Sequence, residues 1–344
     1  VPVRLGRREA LFVVSTIWIS MGLFGAVPFV LGANMSWADA LFEAFSGLTT
    51  TGATILTDIE GRLSAPLHMW RMATHWLGGL GIVVLFVALM PGWGAGGKRL
   101  FQSEAAGPQT GGISPRIRDT AKTLLWIYCS FTAVIICALW GAGMPLFDAV
   151  THSFSTIATG GFSIKNGSVG EYNNLAIELT ILAGMLLAGT NFALFHRFKS
   201  EGRGVFWASP EFRVYILLVA GATLLITSDM LLNATHGVGD ALRYSSFQVV
   251  AIMTGTGFGT ADYESWSTLS RSLLLMLYFC GGMAGSTTGS MKLIRIMIIV
   301  KVVLHEIRIG IRPTLVAPIR IGKAPIDEAI VRGTLAYALI FMGT

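Results

Sequence analysis

Three short stretches join hydroxyl side chains to glycine in a chain otherwise dominated by apolar residues. They read Thr49-Thr50-Thr51-Gly52-Ala53-Thr54, Ile157-Ala158-Thr159-Gly160-Gly161-Phe162 and Thr254-Gly255-Thr256-Gly257-Phe258-Gly259. Each follows a segment that begins near an aspartate and turns apolar: Asp39-Ala40-Leu41-Phe42, Asp148-Ala149-Val150 and Asp240-Ala241-Leu242. Each precedes a polar loop and another apolar run. The chemistry such a turn offers is cation coordination. Threonine and glycine carbonyls can replace the water shell of an ion, and glycine permits the positive φ that aims a carbonyl inward. With Asp39, Asp148 and Asp240 capping short helices at the outer face, the partly negative helix C-termini point towards the turns and favour a cation. No lysine or arginine lies in any of the three turns, so no anion site is suggested. Close helix packing through small residues accounts for Gly78-Gly79-Leu80-Gly81, but poorly for turns that break a helix at one matching place per repeat.

The elements that position these turns follow from composition and periodicity. Of 344 residues, 53% are hydrophobic and 13% charged, with a mean hydropathy of +0.65, against roughly 25% charge in soluble domains. The class is an all-α polytopic membrane protein. Outer helices are expected over Leu11 to Leu31, Ala121 to Ala142, Phe212 to Leu232 and Ile326 to Met342. Half-helices are expected over Trp37 to Leu48, Pro145 to Ile157 and Gly239 to Met253. Inner helices are expected over Pro66 to Met90, Leu175 to Phe195 and Arg271 to about His305. The half-helices are too short for a ~30 Å hydrocarbon core and must enter and return. Irregular backbone survives at that depth only where it lines a cavity. This yields units at 9–96, 116–200 and 209–308, and the outer helix of an incomplete fourth at 324–344. Arg4, Arg7 and Arg8 before an apolar run mimic a signal peptide, with Ala38-Asp39-Ala40 mimicking its cleavage site, but Leu11 to Leu31 has the ~20 residues of a membrane span. Cys129, Cys137 and Cys280 fall inside predicted spans and show neither disulfide nor metal spacing.

Charge sets orientation. Lys98, Arg99, Arg116, Arg118 and Lys122 fill the first connection between units, Arg197, Lys199, Arg203 and Arg213 the second, and Arg308, Arg312, Arg320 and Lys323 the third. By the positive-inside rule these loops are cytoplasmic. The turns, with Asp58, Glu60, Asp262 and Glu264, then lie outside. The pI near 9.4 reflects topology, and nucleic acid is not an expected partner. Asn34, Asn166 and Asn233 begin sequons on the outer side, too short a motif to imply glycosylation. The histidines are scattered and no HExxH occurs, which argues against an intramembrane hydrolase. Glu178 and Asp229 lie in or near spans and are candidates for ion coupling by default, or else solvated helix ends.

A second informative stretch is Gly281-Gly282-Met283-Ala284-Gly285-Ser286-Thr287-Thr288-Gly289-Ser290. A continuous helix from Arg271 to His305 would run about 50 Å at about 1.5 Å per residue, beyond a bilayer core, so a break is predicted. Such a loop beneath the turns can obstruct a path and move aside, glycines absorbing the dihedral change. A kinked helix with small-residue packing is the alternative. Lys292 and Arg295 either anchor the loop at the cytoplasmic side or snorkel to headgroups.

Phe45 to Thr54, His75-Trp76-Leu77-Gly78-Gly79-Leu80-Gly81, Phe154 to Ser163, Met253 to Thr260 and Gly281 to Lys292 together resemble the TrkH family of the Trk/Ktr/HKT superfamily of potassium transporters. The likeness covers essentially the whole chain. It implies four outer helix, pore loop and inner helix units around a pseudo-fourfold pore, of which this chain carries three and the start of a fourth. It implies potassium uptake through a gated, channel-like pore with one glycine per filter loop. Under it Gly52, Gly160 and Gly257 are the filter glycines, and Thr50, Thr51, Ala158, Thr159, Gly255 and Thr256 offer carbonyls to potassium, which is the transported ion, and no cofactor is expected. Residues 281–291 become the gating loop, with Gly281, Gly282, Gly285, Ser286, Thr287, Thr288 and Gly289, followed by Lys292 and Arg295. A glycine in the first filter resembles potassium-selective members, whereas serine there marks sodium-preferring ones. A proton- or sodium-coupled symporter, or a less selective transporter, is the alternative. The resemblance further implies a homodimer in the bacterial plasma (inner) membrane, in contact with lipid, and a TrkA-like cytosolic nucleotide-binding subunit that controls opening. No nucleotide-binding loop is visible in the chain itself. The sequence departs from the family in lacking two preceding helices and the fourth pore loop, so three quadrants need a fourth to close a pore.

Overall fold

The computed structural model describes residues 7–89, 115–312, 318–322 and 324–343. Arg4, Lys98, Arg99 and Lys323, and the end of the first unit beyond residue 89, lie outside the described residues. The first unit is α1 (Arg7–Ala33), the half-helix α2 (Trp37–Leu48) and α3 (Ala65–Leu89). The second has α4 (Pro115–Gly141), the half-helix α5 (Leu146–Ile157), α6 (Leu175–Ala188) and α7 (Phe192–Glu201). After the short α8 (Gly204–Ala208), the third has α9 (Pro210–Leu232), the half-helix α10 (Val238–Met253), α11 (Thr268–Tyr278) and α12 (Leu293–Ile311). A two-residue antiparallel ladder, Arg320–Ile321 on Ala324–Pro325, leads into α13 (Glu328–Gly343).

Within each unit the outer helix packs on its half-helix: α1 on α2, α4 on α5, α9 on α10. Units meet through α3 against α4 and α5, and through α6 against α10. Phe12–Ala33, Thr120–Gly141 and Pro210–Leu232 are long and apolar enough to span a bilayer. The side-chain distribution is that of a protein solvated by lipid. Phe24 is 77% exposed, Trp126 72% and Leu232 87%, whereas Thr151, Ser153, Ser155 and Thr156 on α5 are wholly buried. Apart from Ser155, these hydroxyls are satisfied by their own helix, as Ser153 Oγ donates to the Ala149 carbonyl at 2.6 Å and Thr156 Oγ1 to that of His152 at 2.7 Å. An outside that is apolar and an inside that is hydroxyl-rich is what a polar axis within a bilayer requires.

Two expectations are corrected. Leu175 to Phe195 is not one helix: α6 and α7 are bent by 88° at Gly189-Thr190-Asn191. Asn191 caps α7, its Oδ1 accepting from the Ala193 N–H at 2.8 Å, so a new helix starts there rather than the old one continuing. The three aspartates do not cap the half-helices either. Ser36 caps α2, while α5 and α10 start at Pro145 and Gly237 without a side-chain cap. Asp39, Asp148 and Asp240 sit in the first turns, where a carboxylate still complements the helix dipole. The third inner segment breaks between Tyr278 and Leu293, as its length demanded.

Candidate functional site

The half-helices α2, α5 and α10 end at Leu48, Ile157 and Met253, and the three Thr-Gly turns begin at their C-termini. The backbone repeats closely. The second turn residue, Thr50, Thr159 or Gly255, has φ of 54°, 53° and 68°. Its N–H donates to the residue three back, Gly47, Thr156 or Ile252. The fourth is a glycine, Gly52, Gly161 or Gly257, with φ of 76°, 83° and 78°. A threonine in left-handed backbone is held there by its surroundings, since a Cβ-bearing residue loses roughly 1–2 kcal/mol in that region.

This register moves one assignment. Gly161, not Gly160, is equivalent to Gly52 and Gly257, and Gly160 aligns with Thr51 and Thr256. Ala158, expected to offer a carbonyl, is instead the α5 C-cap, and its oxygen accepts from Thr159 Oγ1 at 2.7 Å. The carbonyl set in register is Thr50, Thr51, Thr159, Gly160, Gly255 and Thr256. Among the described residues, no N–H or O–H donates to any of these six. Thr159, Gly160 and Thr256 are buried, Thr50 is half-buried, and Thr51 and Gly255 are exposed. Buried backbone carbonyls are almost always paired, so the three buried oxygens on adjoining turns are open to an external partner. The turns do adjoin: a Cβ placed on Gly52 would fall 1.9 Å from the Gly160 oxygen, and one on Gly161 1.7 Å from the Thr256 oxygen. Only glycine fits.

Behind the first two turns lies a buried ion pair absent from the sequence-based expectations. Glu43 on α2 is 0% and Arg71 on α3 1% exposed, with Arg71 Nε 2.6 Å from Glu43 Oε1. Glu43 also accepts from Thr54 Oγ1 at 2.9 Å and from the Ile55 N–H, just past the first turn. Arg71 Nη1 donates to the Ser163 carbonyl at 2.8 Å, just past the second, and its guanidinium lies 3.5 Å from the Phe162 ring centroid. His75, one helical turn on, stacks on the same ring at 4.1 Å and meets Ser155 Oγ at 3.2 Å. Each charge in this network has its partner, the condition under which a buried pair is tolerated.

Two further ties join the units. Between the exposed loops of the first and second units, Asn166 Oδ1 accepts from the Ile59 N–H at 2.7 Å while its Nδ2 donates to Asp58 Oδ1 at 3.0 Å. The Asn166 amide and the Gly61 N–H hold the Asp58 carboxyl below its ordinary range. Between the second and third units, Arg243 of α10 grips Glu178 of α6 with two 2.7 Å contacts, and the Gly170 N–H donates to the Gly259 carbonyl at 2.9 Å. Glu178, 2% exposed, and Asp229, which accepts from Ser267, Ser270 and Asn233, are therefore not solvated helix ends. Both are committed to structural partners.

The segment between α11 and α12 lies directly under the second turn. Thr287 Oγ1 is 3.1 Å from the Ile157 carbonyl, the C-terminal oxygen of α5, and 3.3 Å from that of Ala188. Thr159 Oγ1 reaches Thr287 Oγ1 at 3.3 Å. The loop also completes the α6–α7 bend: the Met283 N–H donates to Gly189 and the Phe192 N–H to Gly285. Ser286 Oγ and Thr288 Oγ1 bond each other at 2.8 Å. The Gly281 N–H bonds the Met291 carbonyl, and the Gly282 N–H bonds Thr288 Oγ1. Lys292 Nζ donates back into the loop, to the carbonyls of Ser286 and Thr288. Arg295 points elsewhere, its guanidinium 3.7 Å from the Tyr337 ring on α13.

Residues 4–342 match the family model described as TrkH, a cation transport protein. The chain is 39% identical over 345 residues to the Trk system potassium uptake protein TrkH of Halomonas elongata, spanning 98% of this chain and 71% of the relative. It is 38% identical to the protein of the same name from Escherichia coli K12, over 98% and 72%. The crystal structure of the potassium transporter TrkH from Vibrio parahaemolyticus superposes with a TM-score of 0.89 at 36% identity, covering 99% of this chain and 72% of that one. These relatives are named as transporters, and the helical membrane architecture is shared. The chain belongs to the TrkH family of cation transport proteins.

Proposed function

We propose that this chain conducts potassium inward along the axis on which its three turns converge, with a filter built from one glycine per turn. The observation that carries the reading is the set of carbonyls of Thr50, Thr51, Thr159, Gly160, Gly255 and Thr256, which take no donor among the described residues and are held at the C-terminal ends of three half-helices. Carbonyl oxygens with the negative ends of helix dipoles behind them suit a dehydrated monovalent cation. The names of the relatives favour potassium. Loop 281–291, under the second turn, serves as the gate. A coupled symporter is less well supported, because Glu178 and Asp229 are engaged in fixed contacts rather than facing the turns.

In this reading the turns face outward and the basic connections lie in the cytosol of a bacterial inner membrane. There Arg197, Lys199 and Arg203 would meet a nucleotide-binding regulator, and a second copy would complete a homodimer. The test is potassium or rubidium flux into liposomes with the intact protein, with sodium as competitor. Gly161→Ala, whose Cβ has no room beside the Thr256 oxygen, is expected to cut flux at least about tenfold, a barrier of about 1.4 kcal/mol. Unchanged flux and selectivity would remove Gly161 from the filter.

A further inference from the structure

The loop that interrupts the third inner segment is held by a carboxylate from outside it. Its neck is closed by the Gly281 N–H on the Met291 carbonyl at 2.9 Å and the Leu293 N–H on that of Gly282 at 3.1 Å. Glu211, in the first turn of the outer helix α9 and 8% exposed, then places a single oxygen on both limbs. Its Oε1 accepts from the Ala284 N–H at 2.8 Å and from the Ile294 N–H at 3.2 Å. Ala284 belongs to the descending limb, and Ile294 is the second residue of α12. Lys292, at the N-cap of α12, supplies no side-chain cap of its own. The glutamate therefore does from another helix what a capping side chain usually does locally, with a negative charge at the positive end of the dipole. Hydrogen bonds to a charged acceptor are the stronger kind.

The position of Glu211 in the chain gives this contact a second meaning. It directly follows Ser209 and Pro210, the cap and first residue of α9, and so sits where the chain leaves α7 and α8. That stretch carries Arg197, Lys199 and Arg203 and begins at the α6–α7 bend, where the Phe192 N–H already holds the Gly285 carbonyl. We infer that Glu211 is the positioning residue that fixes the resting place of the interrupting loop and ties it to the basic helices α7 and α8. A force applied to those helices then reaches the loop through this carboxylate as well as through the Phe192–Gly285 bond. The inference rests on the reading of this loop as the gate.

The experiment uses the intact protein in liposomes, with rubidium uptake measured for Glu211→Met, Glu211→Gln and a loop-shortened variant lacking Ser286 to Thr288. Glu211→Met removes the acceptor and is expected to raise resting uptake about tenfold. Glu211→Gln keeps an oxygen without the charge and should give about threefold, in line with the weaker bond of a neutral acceptor. Apparent KM and rubidium-over-sodium preference should stay at wild-type values, because no filter contact is altered. Amide exchange at Ala284 and Ile294 should accelerate in the same order. Wild-type uptake and wild-type exchange in both variants would overturn the role of Glu211, as would a raised KM or a changed ion preference. Should Glu211→Met fail to fold, Glu211→Gln against wild type decides alone. The shortened loop separates the two layers. If it opens the pathway while both Glu211 variants behave as wild type, only the positioning role falls; if it leaves uptake unchanged, the gate reading falls and this one with it.

Discussion

The seam behind the first two Thr-Gly turns and the seam beneath the second are built from opposite materials. Behind the turns, Glu43 and Arg71 form a fully buried ion pair whose spare atoms reach Thr54, Ile55 and Ser163. Beneath them, the interrupting loop and the α6–α7 bend exchange mostly neutral bonds, Met283 to Gly189, Gly285 to Phe192 and Thr287 to Ala188. A buried charge pair cannot be half broken without stranding a charge in a medium of low polarity. An amide–carbonyl bond nets only about 0.5–1.5 kcal/mol and can be exchanged for water. The first kind of seam suits a part that must keep its dimensions, the second a part that must let go.

The comparison breaks most forcefully at Arg71. Arg71→Met strands Glu43 and is expected to destabilise the protein by about 3–5 kcal/mol, while replacing both partners by apolar residues of similar volume recovers most of that. Thermal unfolding in detergent of the single and double variants checks it, and an equal loss in both would mean that the pair is not a unit. A smaller effect is expected in the other seam. Thr287→Val removes the hydroxyl facing the Ile157 and Ala188 carbonyls, a loss of about 1 kcal/mol. It should raise resting flux several-fold with little change in melting temperature; a lower melting temperature without extra flux would make the lower seam as structural as the upper one.

The smallest effect is in the exposed loops that carry Asp58 and Asn166. Asp58 has a carboxyl held below its usual range by Asn166 and Gly61. Its contribution is therefore complete above the ordinary carboxylate pKa and is lost as pH falls through the lowered value. Protection factors at the Ile59 and Gly61 amides, that is exchange relative to the intrinsic rate at each pH, should hold from neutral pH down to about 5 and fall only in stronger acid. A loss of protection already near neutral pH would dissociate this tie from the carboxylate.

Much of the architecture is legible because it is written in local chemistry. The Thr-Gly turns announce where the half-helices stop, and the length of Arg271 to His305 announces a break. The misplaced residues share a cause: their partners are distant in the chain. Glu43 and Arg71 stand 28 residues apart on helices that look apolar overall, and nothing local distinguishes them from surface charges. Glu211 reads as an ordinary first-turn glutamate, since its work is done 73 and 83 residues away. The choice of Gly160 over Gly161 fails for another reason: two adjacent glycines are equivalent in sequence, and only backbone geometry tells which has positive φ. The bend at residues 189–191 did leave a trace, an asparagine inside an apolar run, where a helix N-cap is the economical explanation.

The glycine contacts between the three turns run in one rotational sense. Gly52 backs onto the second turn and Gly161 onto the third, while at Gly257 no described atom lies within 4 Å of where a Cβ would be. The first turn is thus steadied by the second and the second by the third, like tiles laid with a common overlap. Damage to the third tile would loosen the second before it disturbed the first.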